Sequence, residues 1–207
     1  SDEGTMRKST VASIGLRAKT GRALAVVLAG TMDAPQVVRK LEIRLDDPRM
    51  PATSQPYHEV MEMSWEESQK AVRKSAAAIA AIAQKALKRL IDELQAEGIK
   101  VNSVGVVGSA DRDLAKIGNY HIRAHAAEGV LFRRVLDDAA DANGLKRRTF
   151  SDRDLDKTAA AELGPASNAL KRRLNDLGRT LAPPWRADEK QAATAAWLAL
   201  HRPGSSK

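Results

Sequence analysis

The strongest constraint on the fold is the order in which strand-like and helix-like segments follow one another. Residues 11–18 and 23–29 are two short apolar runs on either side of a turn that contains Gly21, a pattern that predicts a β-hairpin. Residues 37–45 then alternate apolar and charged side chains, which is the period of a strand with one buried face. Three consecutive strands are therefore expected before the first helix.

A helix and a buried strand are predicted next. Residues 46–63 contain three prolines and should form a long loop, a kind of segment that often has a function. Ser64 and Glu67 have the spacing of a capping box, and apolar residues then recur at helical intervals over residues 72–94. The Val-rich residues 101–107 have the composition of a strand that is buried on both faces.

The rest of the chain is predicted to be mainly helical. A helix over 120–142 and a short strand over 146–150 are followed by three helical segments, at 154–163, 166–177 and 186–200. The order βββαβαβ predicts an α/β fold with a mixed five-stranded sheet, flanking helices and a helical C-terminal part. We expect one domain over residues 11–201, with disordered tails at 1–10 and 202–207.

Composition narrows the possible partners. The chain of 207 residues has a formal net charge of +8 and no cysteine, so disulfides and Cys-ligated metal sites are excluded. Lys and Arg can neutralise phosphates, so nucleic acid or another phosphorylated ligand is a candidate partner, with an ordinary solvated basic surface as the alternative. No apolar run reaches the roughly 20 residues that span a bilayer, so we expect a cytoplasmic protein without a membrane partner.

Short motifs at the two ends of the chain add to the element order. Residues 14–16 followed by Thr20 and Gly21 resemble the first strand and turn of the ribonuclease H-like fold, and within it of the Holliday junction resolvase group. Asp188 and Glu189 resemble the carboxylates that open the last helix of that family, although acidic residues in a first helical turn also complement the helix dipole. The resemblance implies a nuclease fold with two divalent ions held by carboxylates.

Two of the carboxylates that the resemblance implies are missing. Arg17 stands where the family has an Asp at the end of the first strand, and Gly108 and Ser109 stand where a Glu is expected after the fourth. A metal pair needs several anionic oxygens. The missing acids and the positive charge therefore favour a ribonuclease H-like protein that binds nucleic acid or another phosphorylated ligand without two-metal nuclease activity.

Three of the four histidines are predicted to converge on one edge of the sheet. In the expected topology the first, third and fourth strands end at the same edge, where open α/β sheets usually place ligands. The loop that carries His58 leaves the third strand there. The helix that follows the fourth strand carries His121, His125 and Glu128, whose spacings of four and three put them on one helical face.

These four residues have three alternative interpretations. All four could form a catalytic site for acid–base chemistry, which would make the protein an enzyme acting on an unidentified small molecule. The three on the helix could instead ligate a divalent metal, and no other cofactor is indicated. In the third interpretation the helix histidines are partly buried structural residues and Glu128 pairs with Arg123 or Lys116.

Two further surfaces are candidates for binding. Arg17 and Lys19, together with Arg123, could form an anion-binding pocket beside the histidines, since guanidinium groups suit phosphate; the alternative is a solvated turn. Trp197 in the Ala-rich last helix packs either in the core or against a partner. A structural component that acts as a homodimer is therefore a third hypothesis for the function.

Overall fold

The five strands form one mixed sheet. In the computed structural model, which describes residues 9–201, they are β1 (Thr10–Lys19), β2 (Arg22–Thr31), β3 (Ala34–Arg44), β4 (Ile99–Gly108) and β5 (Lys146–Ser151). Their order is β3-β2-β1-β4-β5. The β1–β2 and β2–β3 pairs are antiparallel, whereas the β1–β4 and β4–β5 pairs are parallel. The α/β architecture with a mixed five-stranded sheet, which the sequence predicted, is confirmed.

The strand bounds differ slightly from the prediction. β1 already begins at Thr10, which the sequence placed in a disordered tail, while residues 1–8 and 202–207 of the two predicted tails lie outside the described residues. The predicted hairpin turn is present, and Gly21 adopts a φ of 77°, which glycine reaches without steric cost. Along residues 9–201, no helix combines the length and the apolar character needed to cross a membrane.

Helices connect the strands and form the C-terminal part. They are α1 (Trp65–Ala71), α2 (Arg73–Ala96), α3 (Tyr120–Ala142), α4 (Leu155–Leu163), α5 (Ala166–Leu177) and α6 (Ala187–His201). The predicted capping box is present, because the Ser64 side chain accepts from the Glu67 amide and the Glu67 carboxylate accepts from the Ser64 amide. The helix predicted to follow it is divided at Val72, where α1 ends and α2 begins.

Helices cover both faces of the sheet. Alternate residues of β1, such as Ile14 and Leu16, pack into an apolar core with α2 and α3. On the opposite face, α6 crosses the sheet and packs with α5 against β2 residues such as Val26 and Leu28. The α6 backbone comes so close that a Cβ atom on Gly15 would lie 1.7 Å from the Ala192 carbonyl oxygen. The sheet is thus the middle layer of three.

The last helix is part of the core. Trp197 is 1% exposed, and it packs in the apolar cluster that α6 forms with α5 and β2. The alanines of α6 that face the sheet are equally buried. The predicted dimer surface made of Trp197 and this helix is therefore wrong, because the apolar face that suggested a partner is covered by the chain's own sheet.

Candidate functional site

A histidine on the long loop is bound to a carboxylate on α3. The loop follows β3 and α3 follows β4, so both start from the edge where the parallel strands end. His58 Nδ1 lies 2.7 Å from Glu128 Oε1, and the backbone amide of His58 donates to the same oxygen at 3.0 Å. Glu128 is fully buried. A carboxylate partner favours the Nδ1–H tautomer of His58, which leaves Nε2 as the free nitrogen.

Two exposed histidines lie beside this pair. The His58 ring centroid is 5.1 Å from that of His121 and 6.2 Å from that of His125, with the ring planes nearly perpendicular. Both α3 histidines are exposed, and neither imidazole ring makes a hydrogen bond within residues 9–201, so the interpretation of them as partly buried, hydrogen-bonded structural residues is wrong. His58, His121, His125 and Glu128, here called the histidine cluster, are thus brought together as the topology predicts.

Glu128 has one oxygen that is not satisfied. Oε2 is buried and has no hydrogen-bond partner in the part of the chain that the structure describes. The predicted pairing with Arg123 or Lys116 is wrong, because Arg123 donates to the Met63 carbonyl at 3.0 Å and Lys116 pairs with Asp113 at 3.5 Å. A buried acceptor without a donor costs about 1–3 kcal/mol, so a donor that reached Oε2 would bind favourably.

The predicted metal site is not formed. Within residues 9–201, no three His, Cys, Asp or Glu side chains are arranged to hold a metal ion. The carboxylate that would complete a trio with His121 and His125 is buried, and its Oε1 is already bound by His58. The cluster is therefore arranged as an oriented imidazole with two imidazole neighbours.

Ion pairs fill the position where the family resemblance implied a metal centre. Arg17 Nε lies 3.4 Å from Asp188, and Arg17 Nη2 lies 3.4 Å from Asp152. Lys19 also pairs with Asp188, at 3.1 Å. Burial opposes ionisation of Asp188, but Lys19 and Arg17 outweigh it and hold its pKa below the ordinary value. Two cations at the end of β1 are therefore neutralised by the chain's own carboxylates.

These ion pairs show that the predicted anion-binding pocket is not formed as expected, and they give Asp188 a structural role. Arg17 and Lys19 are close together, but they are occupied by aspartates, and Arg123 belongs to a different set of contacts. Glu189 is buried and accepts from the Arg186 amide at 3.0 Å, so it caps the start of α6. Sequence spacing could not reveal the Asp152 contact, which joins residues from the ends of β1 and β5.

Aromatic residues surround Arg123 next to the histidine cluster. The Tyr57 and Trp65 rings stack with centroids 5.6 Å apart. The Arg123 guanidinium lies 5.9 Å from the Trp65 ring centroid and 5.2 Å from that of Tyr120. We call these four residues the aromatic patch. The sequence contains a signal for this patch that the sequence analysis missed. Both tyrosines of a chain with few aromatic residues directly precede a histidine of the cluster, Tyr57 before His58 and Tyr120 before His121.

An open cleft lies beyond the ends of β4 and β5. Its volume is about 390 Å³, and its polar lining includes Arg133, Asp137, Arg147 and Thr149. Burial raises the pKa of Asp137, although Thr149, Arg147 and Arg133 all favour its ionised form. Arg133 is buried and donates to Asp137, Asp111 and the Ser109 carbonyl. Because these donors of Arg133 are occupied within the protein, Arg133 offers few free hydrogen-bond donors to a ligand in the cleft.

Comparison with known proteins gives a likeness of fold. No family model and no curated protein matches this chain. Among solved structures, Thermus thermophilus RuvC in complex with a Holliday junction substrate has 13% identity and a TM-score of 0.45, over 90% of each chain. A second structure of Thermus thermophilus RuvC gives 13% identity and a TM-score of 0.45, over 89% of this chain and 90% of that one.

Proposed function

We propose that this protein binds nucleic acid at the carboxyl edge of its sheet and has no two-metal nuclease activity. The observation that carries the proposal is the pairing of Arg17 with both Asp152 and Asp188. Two divalent ions need several free anionic oxygens, whereas these carboxylates already neutralise an arginine and a lysine. A phosphate backbone needs no metal to bind where unpaired cations are available.

Unpaired cations lie on the loops at the same edge. Arg112 follows β4, Arg153 follows β5, and Arg186 precedes α6. All three side chains are exposed, and within residues 9–201 none of them forms an ion pair. With a net charge of +8, the chain also attracts polyanions at long range. Phosphates could therefore contact these arginines without displacing a protein carboxylate.

Binding is tested by fluorescence anisotropy with single-stranded, duplex and four-way branched DNA over a range of salt concentrations. We expect binding at low ionic strength, with the logarithm of affinity falling linearly as the logarithm of salt rises. The triple variant Arg112→Ala, Arg153→Ala, Arg186→Ala should bind about tenfold more weakly or worse, with a shallower salt dependence.

The matched control removes the same charge from the exposed face of α2, through Lys74→Ala, Lys85→Ala and Arg89→Ala. These side chains are also exposed and form no ion pair among the described residues. If the parent fails to bind at low salt, or if both triple variants lose affinity equally, binding at this edge is excluded. Nucleic acid cleavage that requires Mg²⁺ or Mn²⁺ and stops in EDTA would contradict the second half of the proposal.

A second candidate function is acid–base catalysis by the histidine cluster, and the specific observation that favours it is the 2.7 Å contact between His58 and Glu128. A carboxylate that orients an imidazole is a common arrangement for a general base. With RNA, His58 Nε2 would remove the proton of a ribose 2′-hydroxyl, whose oxygen attacks the phosphorus. The 5′-oxygen would then leave with a proton from a second imidazole, that of His121.

Single-stranded RNA in EDTA tests this candidate, because the chemistry needs no metal. We expect cleavage of RNA but not of DNA with the same sequence, since DNA lacks the attacking hydroxyl. The His58→Asn variant should lose about 10²-fold or more of the rate. An intact RNA substrate after incubation with the parent protein would eliminate this candidate and leave the binding proposal untouched.

A further inference from the structure

We infer that the aromatic patch binds an unpaired nucleobase, which stacks on the exposed ring of Tyr120. The inference rests on the proposed nucleic-acid binding and names the form of nucleic acid that the edge recognises. Its starting point is the distribution of aromatic side chains. The chain has three Trp, two Tyr and two Phe, and the patch contains both tyrosines and one tryptophan.

Most aromatic residues outside the patch are core residues. Phe132, Phe150 and Trp197 are 1%, 5% and 1% exposed. Tyr120, by contrast, is 54% exposed at the first turn of α3. An exposed tyrosine in a chain with so few aromatic residues is not explained by core packing. Its ring is available to a ligand.

The patch is organised before any ligand arrives. Arg123 is only 8% exposed, and its guanidinium is held by the Met63 carbonyl at 3.0 Å. From there it lies over the Tyr120 ring at 5.2 Å, and the stacked pair of Tyr57 and Trp65 lies behind it. A base that stacked on the free face of Tyr120 would complete a layered arrangement of base, ring and guanidinium.

The shape of the patch favours stacking at the surface over enclosure. The cavity lined by the patch residues holds only about 10 Å³, which is room for about one water molecule. A base therefore cannot enter it, and recognition by hydrogen bonds to base edges is not offered there. Surface stacking tolerates any base but requires one that is not already stacked inside a duplex.

The position of the patch links base and phosphate recognition. His121 directly follows Tyr120 in α3, and its ring lies 5.1 Å from that of His58. A nucleotide whose base stacked on Tyr120 would thus have its sugar and phosphate near the histidine cluster. The predicted ligand class is single-stranded nucleic acid, or a single-stranded segment within a branched one.

The test compares Tyr120→Ala and Tyr120→Phe in the full chain, using an oligonucleotide that contains a fluorescent adenine analogue, either single-stranded or in a duplex. We expect Tyr120→Ala to bind the single strand about tenfold more weakly and to lose the quenching that stacking causes. Tyr120→Phe should behave like the parent, and duplex binding should change little in either variant. Circular dichroism verifies that both variants are folded.

Ile122→Ala is the matched control, because Ile122 is also 54% exposed and lies on the same turn of helix but has no ring. It should bind single strands like the parent. If Tyr120→Ala binds them as well as the parent does, or weakens single strand and duplex equally, the stacking inference is overturned while nucleic-acid binding stands. If the parent binds neither form, the proposed function and this inference both fail.

Discussion

The Nδ1 atom of His58 lies 2.7 Å from Oε1 of Glu128, which ties a loop residue to a carboxylate that is fully buried on α3. The His58 backbone amide uses the same oxygen, so both the ring and the main chain of the loop are held. This contact positions the imidazole beside His121 and His125. The geometry of the candidate site therefore depends on one carboxylate that solvent does not reach.

Replacement of Glu128 by alanine should destabilise the protein. The variant removes the acceptor of two hydrogen bonds and leaves a cavity, so we expect the free energy of unfolding to fall by about 2–4 kcal/mol. Glu128→Gln keeps one acceptor oxygen and should cost less. Urea denaturation measures the change, with His125→Ala as an exposed control expected to stay within about 0.5 kcal/mol of the parent. An equally small effect for Glu128→Ala would show that the contact does not hold the loop.

Glycine is required where α6 crosses the sheet. A Cβ atom on Gly15 would lie 1.7 Å from the Ala192 carbonyl oxygen, and one on Gly105 would lie 2.3 Å from that of Ala195. Gly15→Ala or Gly105→Ala should therefore displace α6 and lower the free energy of unfolding by about 3 kcal/mol or more. Gly118→Ala, where a Cβ would meet nothing within 4 Å, is the control. Thermal melts that do not separate the three variants would contradict this packing.

The ion pairs of Asp188 should make part of the stability depend on pH. Because its folded pKa is lowered, Asp188 contributes stability above its unfolded pKa of about 3.9, and this contribution is lost as pH falls through the folded pKa. Asp188 is partly exposed, so the contribution should not exceed about 1 kcal/mol. Asp188→Asn should be less stable than the parent at neutral pH and converge with it in acid. A constant difference from neutral pH to the folded pKa would contradict the account.

The buried pair in the wall of the cleft should be sensitive to loss of one partner. Asp137 accepts from Arg133 at 2.9 Å, and both residues are buried. Asp137→Ala would leave one donor of the buried guanidinium without its acceptor, while Asp111 and the Ser109 carbonyl remain, so we expect a cost of about 1–3 kcal/mol in a chemical denaturation experiment. Asp138→Ala is the matched control, since Asp138 is exposed and has no ion pair within residues 9–201. Equal stability of the two variants would argue against a buried pair.

Periodicity and topology predicted much of the fold and part of the site. The predicted helix over 120–142 has the same bounds in the structure, because its apolar face follows one helical period from end to end. The convergence of His58 with His121 was also predictable, since parallel strands must end at one edge. Both predictions use only local patterns and the geometry of parallel sheets.

Other features depend on distant contacts that local patterns do not encode. Trp197 belongs to an apolar helix face, which looks the same in sequence whether the chain itself or a partner covers it. Tyr57, which stacks on Trp65, lies in a proline-containing loop whose apolar residues follow neither a helical nor a strand period, so the sequence pattern does not predict where its side chain lies. The contact between Arg17 and Asp152 joins the ends of two strands, and the spacing of residues along the chain gives no sign of it.

The most direct test of the central claim, that the carboxyl edge binds single-stranded nucleic acid, is an NMR titration. Amide chemical shifts of the isotopically labelled protein would be followed as a short single-stranded oligonucleotide is added in EDTA. We predict that the largest changes occur in residues 57–65 and 120–125 and in the loops that carry Arg112 and Arg153. Changes confined to other surfaces, such as the exposed basic residues of α5, or no changes at low salt, would contradict the account.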